Sequence, residues 1–414
     1  MYSKQVIEAL CLVSLYSSIV VAQGSNATAS IPSQLTYLLP PTFINNSTEF
    51  FLDTSLPPSA SSDQNENITS ITEAREDAFI SYSTEFTGLL GSKPVLRPLL
   101  GPLPSHSNSF YEAGQYDPDH NLLFFTGASP TTSPDVPSHL APRIVLGLNL
   151  TSNELFVPNV TEPILVANGG AYHDGKLYIA HWGNYSYAGG IVQIDPLTFK
   201  TETLINSYYG VRFNGPDDVA WVRGSNNNSV MFYTDVDFSA DLNFTGPAQL
   251  PNAIWRFDPA NGGYLRAVIP RADVPFPNGV AVSPNGKRLY VTDSPVSNLQ
   301  RLGPGNSTGS AATYVYDLDD TLTPVNKRLF AIARTGIADG IKTDAKGRLW
   351  SAEGEGIVCR NQDGRVLGLI NANVLLDQRE TPIANFALVQ DRILVLAVNR
   401  IWAVKLTETL SWTS

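Results

Sequence analysis

A strand–turn–strand unit that repeats six times constrains this chain more than any other feature. Its clearest copy runs over residues 277–293. There, apolar runs at 280–282 and 289–291 flank Ser283-Pro284-Asn285-Gly286, a hairpin turn signal. Further copies turn at 117–121, Asp174-Gly175, 224–228, Lys346-Gly347 and Gln390-Asp391. The return strands lie near residues 123, 177, 231, 289, 349 and 394, so successive units are 45 to 60 residues apart. Each hairpin is followed by another short run, often ending in Asp, at 144–150, 191–195, 254–258, 313–317, 356–360 and 401–405. Antiparallel units of this period, each long enough for four short strands, predict an all-β fold, a six-bladed β-propeller with a central channel. A solenoid fits less well, because these repeats are hairpins of the length a four-stranded blade needs.

The first strand of each propeller blade runs along the channel, so the residues that start those strands converge on one face. Here they are Glu112, Asn168, Asp217, Asn278, Asp339 and Asn385, all of them carboxylates or carboxamides. A single Asn278-Gly279 is also an ordinary loop-to-strand turn, and only the repetition gives the set weight. Two readings follow for Glu112, Asp217, Asn278 and Asp339. They are strand-start caps bonded to backbone, or they are the oxygens of a cation site. Hard oxygen donors without His or Cys suit Ca²⁺, with Mg²⁺, Mn²⁺ and Zn²⁺ as competitors. Acids brought this close repel unless a cation or shared protons compensate.

The ends of the chain point outside the cell. Residues 1–22 read as a secretory signal peptide, with Lys4, an apolar run over 9–21 and the small-residue site Val20-Val21-Ala22. Asn-X-Ser/Thr triplets begin at Asn26, Asn45, Asn46, Asn67, Asn149, Asn159, Asn184, Asn227, Asn243 and Asn306. A secreted, extracellular product carrying N-glycans is therefore expected. No later run is long and apolar enough for a membrane span. The net charge of −11 opposes nucleic acid and anionic membrane as partners. With Cys11 in the signal, Cys359 is the only other thiol, which leaves no intrachain disulfide and no Cys-rich metal site. Its apolar setting at 356–358 reads as that of a small buried residue.

Residues 23–75, rich in Ser, Thr, Asn and Pro, are expected to be extended, glycosylated or poorly ordered. Residues 76–414 are expected to form the propeller, with blade hairpins from about 110 to 405. Part of 76–100 should pack on it and supply an outer strand that closes the last blade. Insertions at 126–143, 236–252 and 294–312 are placed to cover a channel mouth and tune substrate selection.

Three stretches carry a family resemblance: Arg212-Phe213-Asn214-Gly215-Pro216-Asp217-Asp218-Val219, Pro277-Asn278-Gly279-Val280 and Asp339-Gly340-Ile341-Lys342-Thr343-Asp344. They resemble the senescence-marker, gluconolactonase and luciferin-regenerating family, and Tyr111-Glu112-Ala113 is similar to its first motif. The likeness extends to its secreted fungal lactonohydrolases over roughly residues 76–405. The resemblance implies a divalent cation, usually Ca²⁺, held by Glu112, Asn278 and Asp339. Asp339 also falls on the carboxylate that acts as general base or nucleophile. Arg212 and Asn214 fall where members contact substrate, and Asn168 is grouped with them as a substrate contact. One position departs from the pattern: Asp217 stands where the family usually has Asn, which adds a negative charge to the site.

The function expected is a secreted, metal-dependent hydrolase of lactones, with Asp339 as general base. A phosphotriester or aryl-ester hydrolase would need the same groups. From another class, a non-catalytic secreted propeller that binds a partner or sugar is the alternative. His173 and His181 flank a return strand and are either proton shuttles or turn and core residues. No Gly-X-Ser-X-Gly elbow accompanies the strand-following serines, so serine-hydrolase chemistry is not supported.

Overall fold

The computed structural model describes residues 36–38, 77–101, 110–129, 142–224, 228–295, 310–376 and 382–412. Six antiparallel sheets surround one axis as the blades of a propeller. The first is built from Glu112–Asp117, Leu122–Ala128, Arg143–Asn149 and Glu154–Phe156, counted outward from the channel. The second is built from Ala167–His173, Lys176–Gly183, Ala188–Ile194 and Thr201–Ile205. Pro216–Arg223, Ser229–Asp235, Ala253–Asp258 and Tyr264–Pro270 make the third. In the fourth, Pro277–Val282, Arg288–Asp293, Ala312–Leu318 and Pro324–Ile332 follow in turn. Every hairpin and third strand expected from the sequence is present.

Neighbouring blades bury their faces against each other, which is why the inner strands read as unbroken apolar runs rather than alternating ones. Val222, Val230 and Phe232 of the third blade share one core with Val280, Leu289 and Val291 of the fourth. The outermost strands behave differently. Pro324–Ile332 is exposed over most of its length, so no apolar pattern marks it.

The N-terminal region completes the last two blades. The fifth, Ile341–Thr343, Leu349–Glu353, Gly356–Arg360 and Val366–Asn371, is widened by Phe79–Ser81, on which Thr36–Leu38 lies parallel. In the sixth, Asn385–Val389, Arg392–Ala397 and Arg400–Lys405 receive Leu96–Leu100 as the outer strand. Between them runs the helix Thr84–Leu90, capped by the Ser83 hydroxyl, which accepts from the Phe86 N–H at 3.1 Å. It sinks Phe86, Leu89 and Leu90 into a core with Trp350 and Leu96.

Residues 1–22, expected to be a signal peptide, and most of residues 23–75 lie outside the described residues, as do the sequons at Asn26, Asn45, Asn46, Asn67, Asn227 and Asn306. Asn159 and Asn243 are exposed, and Cys359 is fully buried. Among the described residues no helix is long and apolar enough to cross a membrane.

Candidate active site at one mouth of the channel

Four innermost strands break register at the same point. The shifts fall between Glu112 and Gln115, Ala167 and Gly170, Pro216 and Val219, and Pro277 and Val280. Each leaves a two-residue bulge, and bulges re-aim side chains that a regular strand would alternate. Asn168-Gly169, Asp217-Asp218 and Asn278-Gly279 occupy three of them, and Ala113-Gly114 the fourth.

The glycines explain how tightly this end is drawn in. A Cβ on Gly279 would stand 2.3 Å from the Asp339 carbonyl, and one on Gly169 would stand 2.4 Å from that of Asp217. On Gly340 it would meet Asn385 Nδ2 at 2.5 Å. Each glycine lets the channel residue of the next blade press against its backbone. Asn278-Gly279 is therefore not a turn, and Gly279 is absent from the residues with positive φ. The third blade carries an acid at this position. Asp218 takes the place of glycine, and its carboxylate accepts N–H groups from Gly170 (3.2 Å), Val219 (2.9 Å) and Val280 (3.4 Å), tying blades two, three and four together.

A second device locks three of the channel residues to the blade before. Thr126 donates its hydroxyl to the Asn168 carbonyl at 3.0 Å, Thr234 to Asn278 at 2.6 Å, and Thr292 to Asp339 at 3.3 Å. In the third and fourth blades an Asp follows that Thr. Asp235 accepts from Asn214 and Gly215, and Asp293 accepts from Phe276 and Ser310, which fixes the loops entering those blades. The repeated Thr-Asp at 234–235 and 292–293 was visible in the sequence and is the signal that marks this scaffold.

Glu112, Asp217 and Asn278 are buried, and Asp339 is half-buried. Burial, then the charges of Glu112 and Asp217, push the Asp339 carboxyl well above the usual carboxylate range, while a hydrogen bond from Asn278 opposes the shift. Asp217 is raised by burial and by Glu112 and Asp218. Glu112 is pushed up to about 7 by burial, against a 3.0 Å hydrogen bond from Asn385 Nδ2. The three acids thus sense one another across three blades. Two cations temper them. Lys342 donates to the Ala113 carbonyl at 3.0 Å and lowers Asp218 and Glu112. Arg143 lowers Glu112 and Asp217.

This oxygen set is chemically suited to a hard divalent cation, and the buried Asn168 Oδ1 beside it has no hydrogen-bond partner. Among the described residues no three His, Cys, Asp or Glu side chains already stand at ligand spacing, so the acids are gathered rather than preassembled.

The other residues singled out in the sequence make the following contacts. The Arg212 guanidinium donates to the Asn184 carbonyl at 3.1 Å. The Asn214 amide is spent on its own loop, donating to Leu250 O (2.7 Å) and accepting from the Gln249 and Leu250 N–H groups. It holds the insertion at 236–252, whose Phe238, Leu242 and Phe244 pack with Trp182 and Phe276. The other two insertions fall largely outside the described residues. His173 stacks on Trp221 at 4.9 Å, and His181 is buried beside Ala167 with its pKa lowered to about 4 by desolvation. Asp218, Lys342 and Arg143 carry no sequence signal that assigns them to this end. A cavity of about 650 Å³ opens at the opposite end of the channel, lined by Tyr116, Tyr172, His173, Asn285 and Trp412, with Asp218 and Lys342 at its floor. The three acids lie on the other side of that floor.

Residues 233–376 match the family described as SMP-30/Gluconolactonase/LRE-like region. A lactonohydrolase of Aspergillus oryzae, oryL, is 29% identical over 311 residues, which cover 69% of this chain and 67% of the relative. A gluconolactonase of Zymomonas mobilis is 29% identical over 210 residues, covering 48% and 52%. The solved structure of a gluconolactonase from Xanthomonas campestris superposes with a TM-score of 0.60 at 21% identity, covering 79% of this chain and 94% of that one, a likeness of fold.

Proposed function

We propose, from the match of residues 233–376 to the SMP-30/Gluconolactonase/LRE-like region, that this chain is a secreted hydrolase of lactones that uses a divalent cation. The observation that carries this reading is the gathering of Glu112, Asp217, Asn278 and Asp339 at one mouth of the channel. Relatives named lactonohydrolase and gluconolactonase support the reaction class.

Glu112, Asp217, Asn278 and Asp339 would hold the cation by oxygen, with Ca²⁺ the best match and Mg²⁺, Mn²⁺ or Zn²⁺ as competitors. When bound, the cation supplies neutralising charge and Lewis acidity. The protein's own groups do the rest. Asp339 is the most exposed of the four and is held by Asn278, so it can receive a proton. As water adds to the lactone carbonyl, Asp339 takes its proton, and the proton is then delivered to the ring oxygen as the acyl–oxygen bond breaks. The product is the open hydroxy acid. Secretion follows from the leader-like residues 1–22 and the sequons, of which Asn159 and Asn243 are exposed and open to glycosylation.

The test is turnover of a panel of small lactones, with an aryl ester and a phosphotriester alongside. It is run with chelator and after restoring each cation separately. Lactones should be preferred, chelation should stop the reaction, and Ca²⁺ or Mn²⁺ should restore it better than Zn²⁺. Asp339→Asn should abolish turnover, whereas Asp217→Asn should leave it intact or raise it. Lactone hydrolysis indifferent to both chelator and Asp339→Asn sinks the mechanism. Activity that appears only in Asp217→Asn identifies a propeller that has lost catalysis.

A further inference from the structure

Arg143 is set differently from the other arginines described near charged groups. Arg256, Arg328, Arg334, Arg348 and Arg360 each make an ion pair. Arg212 is turned to a backbone carbonyl. The Arg143 guanidinium instead lies 4.6 Å from the centre of the Tyr111 ring and 5.1 Å from that of Trp182, within the range of a cation–π contact to both. Among the described residues it has no hydrogen-bond or ion-pair partner. Contacts with two rings leave the guanidinium's N–H donors without an acceptor among the described residues, open to a planar anion. Tyr111 directly precedes Glu112, so this unspent fork stands beside the acids. An arginine serving only as their counter-ion would close on a carboxylate, and this one does not.

What stands behind it is apolar. Trp182 meets Phe244 edge-on at 5.7 Å and shares a cluster with Val236, Phe238 and Phe276. Val236, Phe238 and Phe244 of this wall come from the insertion after the third blade's second strand. Val236, Phe238 and Phe276 are almost wholly buried, so the wall backs the Trp182 ring rather than lining open space.

We propose that Arg143 is the anion-recognition group of the site and that its substrate is a lactone with a carboxylate substituent. This rests on the lactonase reading above and narrows it to a substrate class. Arg143 holds the carboxylate flat against its fork while Tyr111 and Trp182 fix its orientation. The substituent is thereby offset from the repulsion of Glu112, Asp217 and Asp339. Arg143 is a specificity residue and takes no part in bond breaking.

The experiment compares an alkyl-substituted δ-lactone with the same lactone bearing a terminal carboxylate, on wild type, Arg143→Gln and Arg143→Lys. Octanoate binding is followed in parallel by calorimetry, independently of turnover. Wild type should prefer the carboxylate lactone. In Arg143→Gln, the ratio of kcat/KM for carboxylate over neutral lactone should fall by about 10- to 100-fold, mostly through KM. Arg143→Lys, which keeps charge but loses the fork, should fall between, and a folded Lys variant keeps the test valid if Gln unfolds. Octanoate should bind wild type and lose affinity in both variants. An unchanged ratio, or octanoate binding that ignores Arg143, overturns the proposal even where lactones are hydrolysed. Arg143-dependent octanoate binding without any lactone turnover keeps the anion site and removes the lactonase reading.

Discussion

Asn385 in the last blade donates its Nδ2 to Glu112 Oε2 in the first, 3.0 Å away and 273 residues distant in sequence. The amide cannot turn over, because its oxygen accepts the Phe386 N–H at 2.9 Å. The contact also crosses the seam where the ring closes. Asn385→Ala should therefore leave Glu112 buried without its donor. We expect kcat to fall by about 10- to 100-fold, as for other groups that orient a functional carboxylate. The loss of stability should be about 1–3 kcal/mol. Asn385→Asp sets a second carboxylate against Glu112 and should be worse than Ala in both respects. Steady-state kinetics with chemical denaturation of each variant checks this, and Asp behaving better than Ala would refute it.

Gly279→Ala tests whether the glycines serve close approach rather than turning. Its φ is ordinary, so any backbone argument predicts a tolerated change. The 2.3 Å approach to the Asp339 carbonyl predicts the opposite. Displacing Asp339 should cost about 1–3 kcal/mol and most of the turnover. The comparison is Gly175→Ala, at a hairpin with φ of 74° and open space around it, which should lose some stability and keep its turnover. Equal activity losses in the two variants would dismiss the close-approach account.

Asp235 provides a pH dependence remote from substrate. Burial raises its carboxyl to about 7, against hydrogen bonds from the Gly215 and Asn214 N–H groups. In the unfolded chain it should titrate near the ordinary value of about 3.9. Between those values the native state binds more protons, so its contribution to stability is fully present below about 4 and is lost as pH rises through about 7. Asp235→Asn should flatten this slope. The check is the denaturant midpoint of both proteins from pH 4 to pH 8 in chelator, and identical slopes would rule Asp235 out as the source.

The sequence revealed the hairpins and third strands because both faces of those strands are buried, which leaves continuous apolar runs between turn signals. The fourth strands left no such mark. Pro324–Ile332 is exposed over most of its length, and Leu96–Leu100 is remote in sequence from the blade it completes. At the site, the strand-start acids and amides were legible because six blades repeat one position. Arg143 was not, because it lies on a third strand of the first blade and becomes part of the site only through the folded positions of Tyr111 and Trp182. In the sequence Asp218 reads only as a neighbour of Asp217, and its bridging of three blades depends on a bulge that local patterning does not reveal. The motif containing Asn214 was recognised, but its amide is committed to Leu250 and Gln249, a partnership set by the insertion's path.

The pairing of Leu96–Leu100 with Arg400–Lys405 bears on how the molecule is made. The early strand leaves the ribosome while its partner is still about 300 residues from being synthesised, and closing so long a loop is entropically costly and slow. Until then Leu96–Leu100 has no ladder and the helix Thr84–Leu90 has no Trp350 or Trp402 to cover its apolar face. A nascent chain stopped before the sixth blade is a string of sheets with bare edges, prone to pairing with its neighbours. Its Glu112 also lacks Asn385. Assembly of this mouth of the channel thus doubles as a check on completeness, since the last blade to be translated both seals the ring and steadies the first acid of the site.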